Sequence, residues 1–247
     1  MMGRYVKNFG KIIASSRLTD KLWKSMLLST YPSKDVIDDF QGVVNPVILF
    51  KKIGGDEMVF SFEINGLTVR TGDLICTVDG GDPVVPGEFW RLVGKLIPGD
   101  VDHVVIYVGP EGKCVEAGPK GVISFETHSS VWDSADMLNQ RLLVDQLYGI
   151  AYPLTGRGLA LDQEETIREN VAAFCLAQVG KPYNINFLDS STENSFYCSQ
   201  LAYVAYLKNG IDLNTGKAVP EIPGTGSIIF PQEVWESCVH VRLNMDI

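Results

Sequence analysis

Three side chains in this 247-residue sequence could together break an acyl bond: Cys198, His103 and Glu116. A thiolate attacks a carbonyl carbon, an imidazole takes and returns the proton, and a carboxylate holds the ring in one tautomer and steadies its positive form. Cys198 stands where a polar stretch, "LDSSTENSF", gives way to "YCSQLAYVAYLKNG". Leu201, Ala202, Val204, Ala205 and Lys208 follow it at the spacing of one helical face, and Asn209-Gly210 supplies a stop, so a helix is predicted to begin at the cysteine. The Ser, Thr, Asn and Asp residues before it favour loops and helix starts. A thiol in a helix's first turn feels the positive end of the dipole and nearby unpaired amide hydrogens, which favour the thiolate.

The other two residues must be carried to it by strands. His103 opens the strand-like "HVVIYVG" directly after "PGDVD", at a strand mouth bordered by loops. If the turn "GPEG" sets Val108 opposite Lys113, Glu116 faces Val105 and lies diagonal to His103 on one side of the sheet. Diagonal neighbours are about 7–8 Å apart at their α-carbons, within reach of long side chains. A slip of one residue would turn Glu116 to the other face. Each residue also has a plainer reading: a buried apolar thiol, a hydrogen-bonded structural histidine, a solvated strand charge. Spacing alone does not separate coincidence from a site. His128 and His240 read as surface histidines, and Cys114, on the same strand face as Glu116, is the rival nucleophile.

The remaining elements suggest an α+β fold with an antiparallel sheet. Residues 1 to about 40 carry an amphipathic helical pattern through Leu18, Leu22, Trp23, Met26 and Leu27. "EMVFSFEI", the turn Asn65-Gly66 and "LTVRTGDLICTV" read as a hairpin, and "GEFWRLVGKLIPG" as a short helix. Three strands follow as a meander, "HVVIYVG", "KCVEAG" and "GVISFE". Then come a helical "SSVWDSADMLNQ", a strand in "RLLVDQLYGIAY", and a helix in "DQEETIRENVAAFCLAQVG" with Asp162 as its cap. No stretch approaches the about 20 apolar residues of a membrane span, and no convincing signal peptide is present, so a cytoplasmic protein without stable membrane insertion is expected. The five cysteines, an odd count without a CxxC pair, argue against a zinc ribbon or a complete disulfide framework. A net charge of −9 disfavours nucleic acid as a partner. "TGRG" and "PGTG" lack the full phosphate-loop spacing and read as turns.

The segments "GDLICTV" at 72–78, "DHVVIYVG" with "CVEAG" at 102–118, "GKPYNINF" at 180–187 and "FYCSQLAYVAY" at 196–206 resemble the permuted NlpC/P60-type papain-like enzymes of the YiiX/YebB-like group. In ordinary papain-like chains the nucleophile helix precedes the histidine strand; here the histidine comes first, by 198 − 103 = 95 residues. The resemblance spans roughly residues 65–240. It implies a circularly permuted papain-like fold, an antiparallel sheet or barrel packed against the nucleophile helix, with a catalytic domain over 65–247 and a mainly helical extension over 1–64. It further implies Cys198 as nucleophile, His103 as base and acid, Glu116 as the third polar residue, and Tyr183 as an aromatic shaping the substrate pocket. Asp102 and Asn184 depart from the family pattern, which has a small hydroxyl residue and an acidic residue there. The expected function is hydrolysis of an amide in a cell-wall peptide, small peptide or N-acyl conjugate, without metal or cofactor. A lipid-directed acyltransferase or thiol esterase using the same site and a noncatalytic ligand-binding module are the alternatives.

Overall fold

Asn65 and Gly66 adopt positive φ angles of 51° and 75°, the backbone that matches a tight turn to the twist of its flanking strands. They join Ser61–Ile64 (β1) to Leu67–Arg70 (β2) as an antiparallel hairpin. The computed structural model describes residues 59–79, 98–216 and 228–243, all within one compact unit, Met58–Ile247. The helical patterns expected near the N-terminus and in "GEFWRLVGKLIPG", and the "PGTG" turn, lie outside the described residues.

Six further strands form one antiparallel sheet. They are Leu74–Asp79 (β3), His103–Gly109 (β4), Lys113–Gly118 (β5), Gly121–Glu126 (β6), Asp145–Tyr152 (β7) and Val239–Arg242 (β8). Their order is β6-β5-β4-β3-β7-β8. The sheet is open, so of the two architectures expected it is the sheet and not the closed barrel. Four described helices accompany it: Ser134–Arg141 (α1), Leu161–Ala177 (α2), Cys198–Leu207 (α3) and Pro231–Glu236 (α4). The fold is α+β, and among the described residues no helix is long and apolar enough to cross a membrane.

Every residue of β4 is buried, because both faces of this central strand are covered. Val104, Ile106 and Val108 join Val115, Ala117 and the helical Val171, Leu201 and Ala205 in one apolar cluster. Val105 and Tyr107 join Cys114, Phe125, Trp132 and the hairpin's Ile64 and Val69 in the other. By alternation His103 and Glu116 share the face of the second cluster.

Three local expectations need correcting. Ala160, not Asp162, is the N-cap of α2; Gln163 accepts the Ala160 amide hydrogen at 3.2 Å, leaving Asp162 in the first turn. Lys208 is not on the buried face of α3 but exposed beyond its end, paired with Glu193 at 2.7 Å. Lys113 pairs with Gly109 rather than Val108, because the intervening turn is a 3-10 stretch, Pro110–Gly112, with Glu111 at φ 57°. Past that irregularity Tyr107 faces Cys114 and Ile106 faces Val115, the register expected for Glu116.

Candidate active site

The first turn of α3 is held by polar side chains, of which the sequence singled out Asn184 alone. Gln200 accepts from the Tyr197 amide at 3.2 Å and from Asn184 Nδ2 at 3.0 Å. Its own Nε2 donates to the carbonyls of Ser190 and Thr192. Asn184 also donates to the Asp189 carbonyl at 2.9 Å. Ser199 Oγ donates to the Ile229 carbonyl at 2.7 Å, and the Ile229 amide donates to Tyr197 Oη at 3.0 Å. A polar loop is thereby fastened around the helix start, and Cys198, 4% exposed, is its first residue.

His103 is the first residue of β4, opposite Thr77 of β3, and is 8% exposed. Its Nε2 donates to Glu116 Oε2 at 2.8 Å. Burial opposes a charge on the ring. Cys198, by charge and by a hydrogen bond, and then Glu116 outweigh burial and push His103 up to about 10. With Nε2 engaged by the carboxylate, Nδ1 is the nitrogen left to exchange a proton with the sulfur. Structure thus brings together the three residues the sequence proposed, from a helix start, a strand mouth and a neighbouring strand.

Glu116 is fully buried and has a second partner that sequence reasoning missed. Arg141, also fully buried, donates Nε to Glu116 Oε1 at 3.0 Å and Nη2 to Oε2 at 2.8 Å. The guanidinium's other edge meets Asp145, Nη1 to Oδ1 and Nη2 to Oδ2, each at 2.8 Å. Its central carbon lies 4.8 Å from both the Phe125 and the Trp132 ring centres, two cation–π contacts. Asp145 further accepts from Thr77 Oγ1 at 2.7 Å, Trp132 Nε1 at 3.0 Å and Ser134 Oγ. Burial works to raise both carboxyls, but Arg141 above all holds them below the ordinary carboxylate range. Arg141 closes a polar helix and Asp145 opens a strand, and no spacing rule joins either to a residue in β5.

Tyr183 lies beside this group, bridged to Phe196 in a short parallel contact and edge-on to Phe187 at 6.3 Å. Burial first, and then the charges of Cys198, Tyr197 and Glu116, raise its phenol. The segment before it runs close to the β5–β6 turn: Val122 donates to the Lys181 carbonyl at 2.8 Å and Gly180 to the Val122 carbonyl at 2.9 Å. Gly121, at φ 82°, permits that approach, since a Cβ there would stand 2.5 Å from the Lys181 oxygen. Asn184, one of the two departures from the family pattern, holds the loop ahead of Cys198.

The other four thiols are buried, as Cys198 is, with Cys238 at 8% the most exposed of the five. Cys114 bonds to the Gly112 carbonyl at 3.4 Å; burial raises Cys76, Cys114 and Cys175, and takes Cys238 to about 12. All five cysteines are free. His128 is exposed, as expected, and lies 3.0 Å from Gln140 Nε2. His240 is more than a surface residue, stacked on Trp235 at 4.2 Å. Among the described residues no group of three or more His, Cys, Asp or Glu side chains is arranged to hold a metal ion.

A family model described as "Permuted papain-like amidase enzyme, YaeF/YiiX, C92 family" matches residues 81–224, more than half of the chain. That span contains His103, Glu116, Arg141, Asp145, Tyr183 and Cys198. The NlpC/P60 name suggested by the motifs belongs to a different branch. No curated protein and no solved structure matches the chain.

Proposed function

The chain belongs to the C92 family of permuted papain-like amidases, and we propose that this cysteine hydrolase cleaves the amide bond of a cell-wall peptide, another small peptide or an N-acyl conjugate at Cys198. The observation that carries the reading is a buried imidazole shared between a carboxylate at 2.8 Å and a thiol at a helix start.

The Cys198 proton passes to His103 Nδ1, giving a thiolate and an imidazolium. Sulfur attacks the carbonyl carbon; the developing oxyanion is met by the Cys198 amide and the positive end of α3. As the C–N bond breaks, the imidazolium gives its proton to the departing nitrogen, and an amine leaves a thioester behind. Neutral His103 then takes a proton from water as the water oxygen attacks the thioester. The C–S bond breaks, releasing the carboxylic acid and restoring the ion pair. Glu116 keeps Nε2 protonated throughout, which fixes the tautomer. Tyr183 shapes the pocket beside the sulfur, and the protein's acidic balance suits a neutral or basic leaving group.

Intact-protein mass after brief exposure to short cell-wall-type peptides, N-acyl amides and acyl lipids tests this. An acyl adduct on Cys198 from a peptide or N-acyl amide, with amine released first, is expected. An adduct from lipids alone, passed on to an added amine or alcohol, would replace amide hydrolysis with acyl transfer. No adduct and no turnover on any panel would favour a binding module.

A further inference from the structure

The buried group behind His103 is electrically unbalanced. Glu116 and Asp145 each carry a negative charge and Arg141 one positive charge, so the three together leave one negative charge inside the protein. Such a charge is costly to bury alone. Its partners are fixed: Arg141 grips two carboxylates along two edges and lies 4.8 Å from two aromatic ring centres, and Thr77, Trp132 and Ser134 donate to Asp145. The titratable cation next to the surplus is His103, reached through Glu116 at 2.8 Å.

We propose that Arg141 and Asp145 are positioning residues of this site: Arg141 locks the Glu116 carboxylate against His103 Nε2, and Asp145 supplies the surplus negative charge that keeps the imidazole protonated for the Cys198 thiolate. Arg141 alone would cancel Glu116 and leave the ring facing a neutral pair. With Asp145 added, the guanidinium's rigid two-edged geometry is kept and its charge is offset. The inference rests on Cys198, His103 and Glu116 being the acting residues. The titratable groups around the ring are Cys198 on α3, Glu116 and Cys114 on β5, Arg141 on α1, Asp145 on β7 and Tyr183 before α3, with Asp102 preceding it in the chain. Burial raises Cys114 and Tyr183, and the charge of His103 is among the causes that hold Asp145 low, so the two groups are coupled across Glu116.

The test reads the ring itself and needs no substrate. In the full chain carrying Cys198→Ala, with labelled histidines, the His103 resonance is titrated by NMR, with His128 as an internal control. Asp145→Asn, which keeps the shape of the side chain, is expected to lower the His103 midpoint by about one pH unit while His128 stays put. The double variant Arg141→Gln/Asp145→Asn restores the cluster to one negative charge and is expected to return the midpoint to its starting value. In the Cys198 chain that double variant is expected to lose about tenfold in kcat with KM unchanged, because Glu116 has lost its fork. A folded Asp145→Asn protein with an unmoved His103 midpoint overturns the proposal. Should Asp145→Asn fail to fold, wild-type turnover by the double variant overturns it instead. Failure to find an amide substrate leaves the titration untouched, so the two readings fail separately.

Discussion

Among the described residues two arginines are buried, each between two carboxylates, and they differ in their surroundings. Arg141 sits between Glu116 and Asp145, both fully enclosed. Arg168, 2% exposed, donates Nη1 to Asp73 Oδ1 at 2.8 Å and to the Thr71 carbonyl at 2.7 Å, and Nε to Glu164 Oε1 at 2.9 Å. Arg70 also reaches Glu164, at 3.0 Å, so this second cluster has two cations for two carboxylates and is balanced. It ties α2 to the turn between β2 and β3 and has no histidine beside it. The cleft of about 420 Å3 that it lines, with Tyr152 and Leu159, includes none of Cys198, His103 or Glu116. The same residue types tie down a helix where their charges cancel and adjoin the His103 ring where they do not.

The comparison breaks hardest at the chemical end. Cys198→Ala and His103→Ala are each expected to lower turnover by about 10,000-fold or more, since both groups make and break bonds; thermal unfolding should show both variants folded. Glu116→Gln is expected to lose about 100-fold and retain measurable activity, because the carboxylate orients the ring without being consumed.

At the other cluster the loss should fall on stability instead. Arg168→Met leaves Asp73 buried without its partner and is expected to cost about 3–5 kcal/mol, with kcat per folded molecule unchanged; urea unfolding beside active-site titration separates the two. The carboxylates differ as well. Burial outweighs Arg168 and raises Asp73, whereas Arg141 keeps Asp145 low. Asp73→Asn should therefore destabilise less than Asp145→Asn at pH 7, and equal losses would erase the distinction.

The smallest effect is on alkaline stability. Because His103 is raised from 6.5 to about 10, its contribution is complete below pH 6.5 and lost as pH rises through about 10. Unfolding free energies measured across that window should fall for the native chain and fall less for His103→Gln.

Much of this arrangement was legible in the residues. The helix start at Cys198 followed from its apolar spacing and the polar stretch before it, and the diagonal of His103 and Glu116 followed from strand alternation. That diagonal held although the turn was misread, because the extra residue at Val108 lies on the far side of the paired segment. Arg141 and Asp145 were not legible. A charged residue closing a polar helix looks solvated, and its burial depends on Phe125 and Trp132, contributed by other parts of the chain. Gln200 escaped notice for a related reason: its partners are backbone carbonyls of a loop whose path no local pattern describes.

The central claim is that Cys198 is the activated thiol and His103 its base. Alkylation with iodoacetamide, followed by mapping of the labelled site, tests it without any choice of substrate. Cys198 is expected to label first and ahead of Cys76, Cys114, Cys175 and Cys238, whose thiols burial raises, and to label about tenfold or more slowly in His103→Ala at pH 7. Fastest labelling at Cys114 with Cys198 inert, or a Cys198 rate indifferent to the loss of His103, would contradict it.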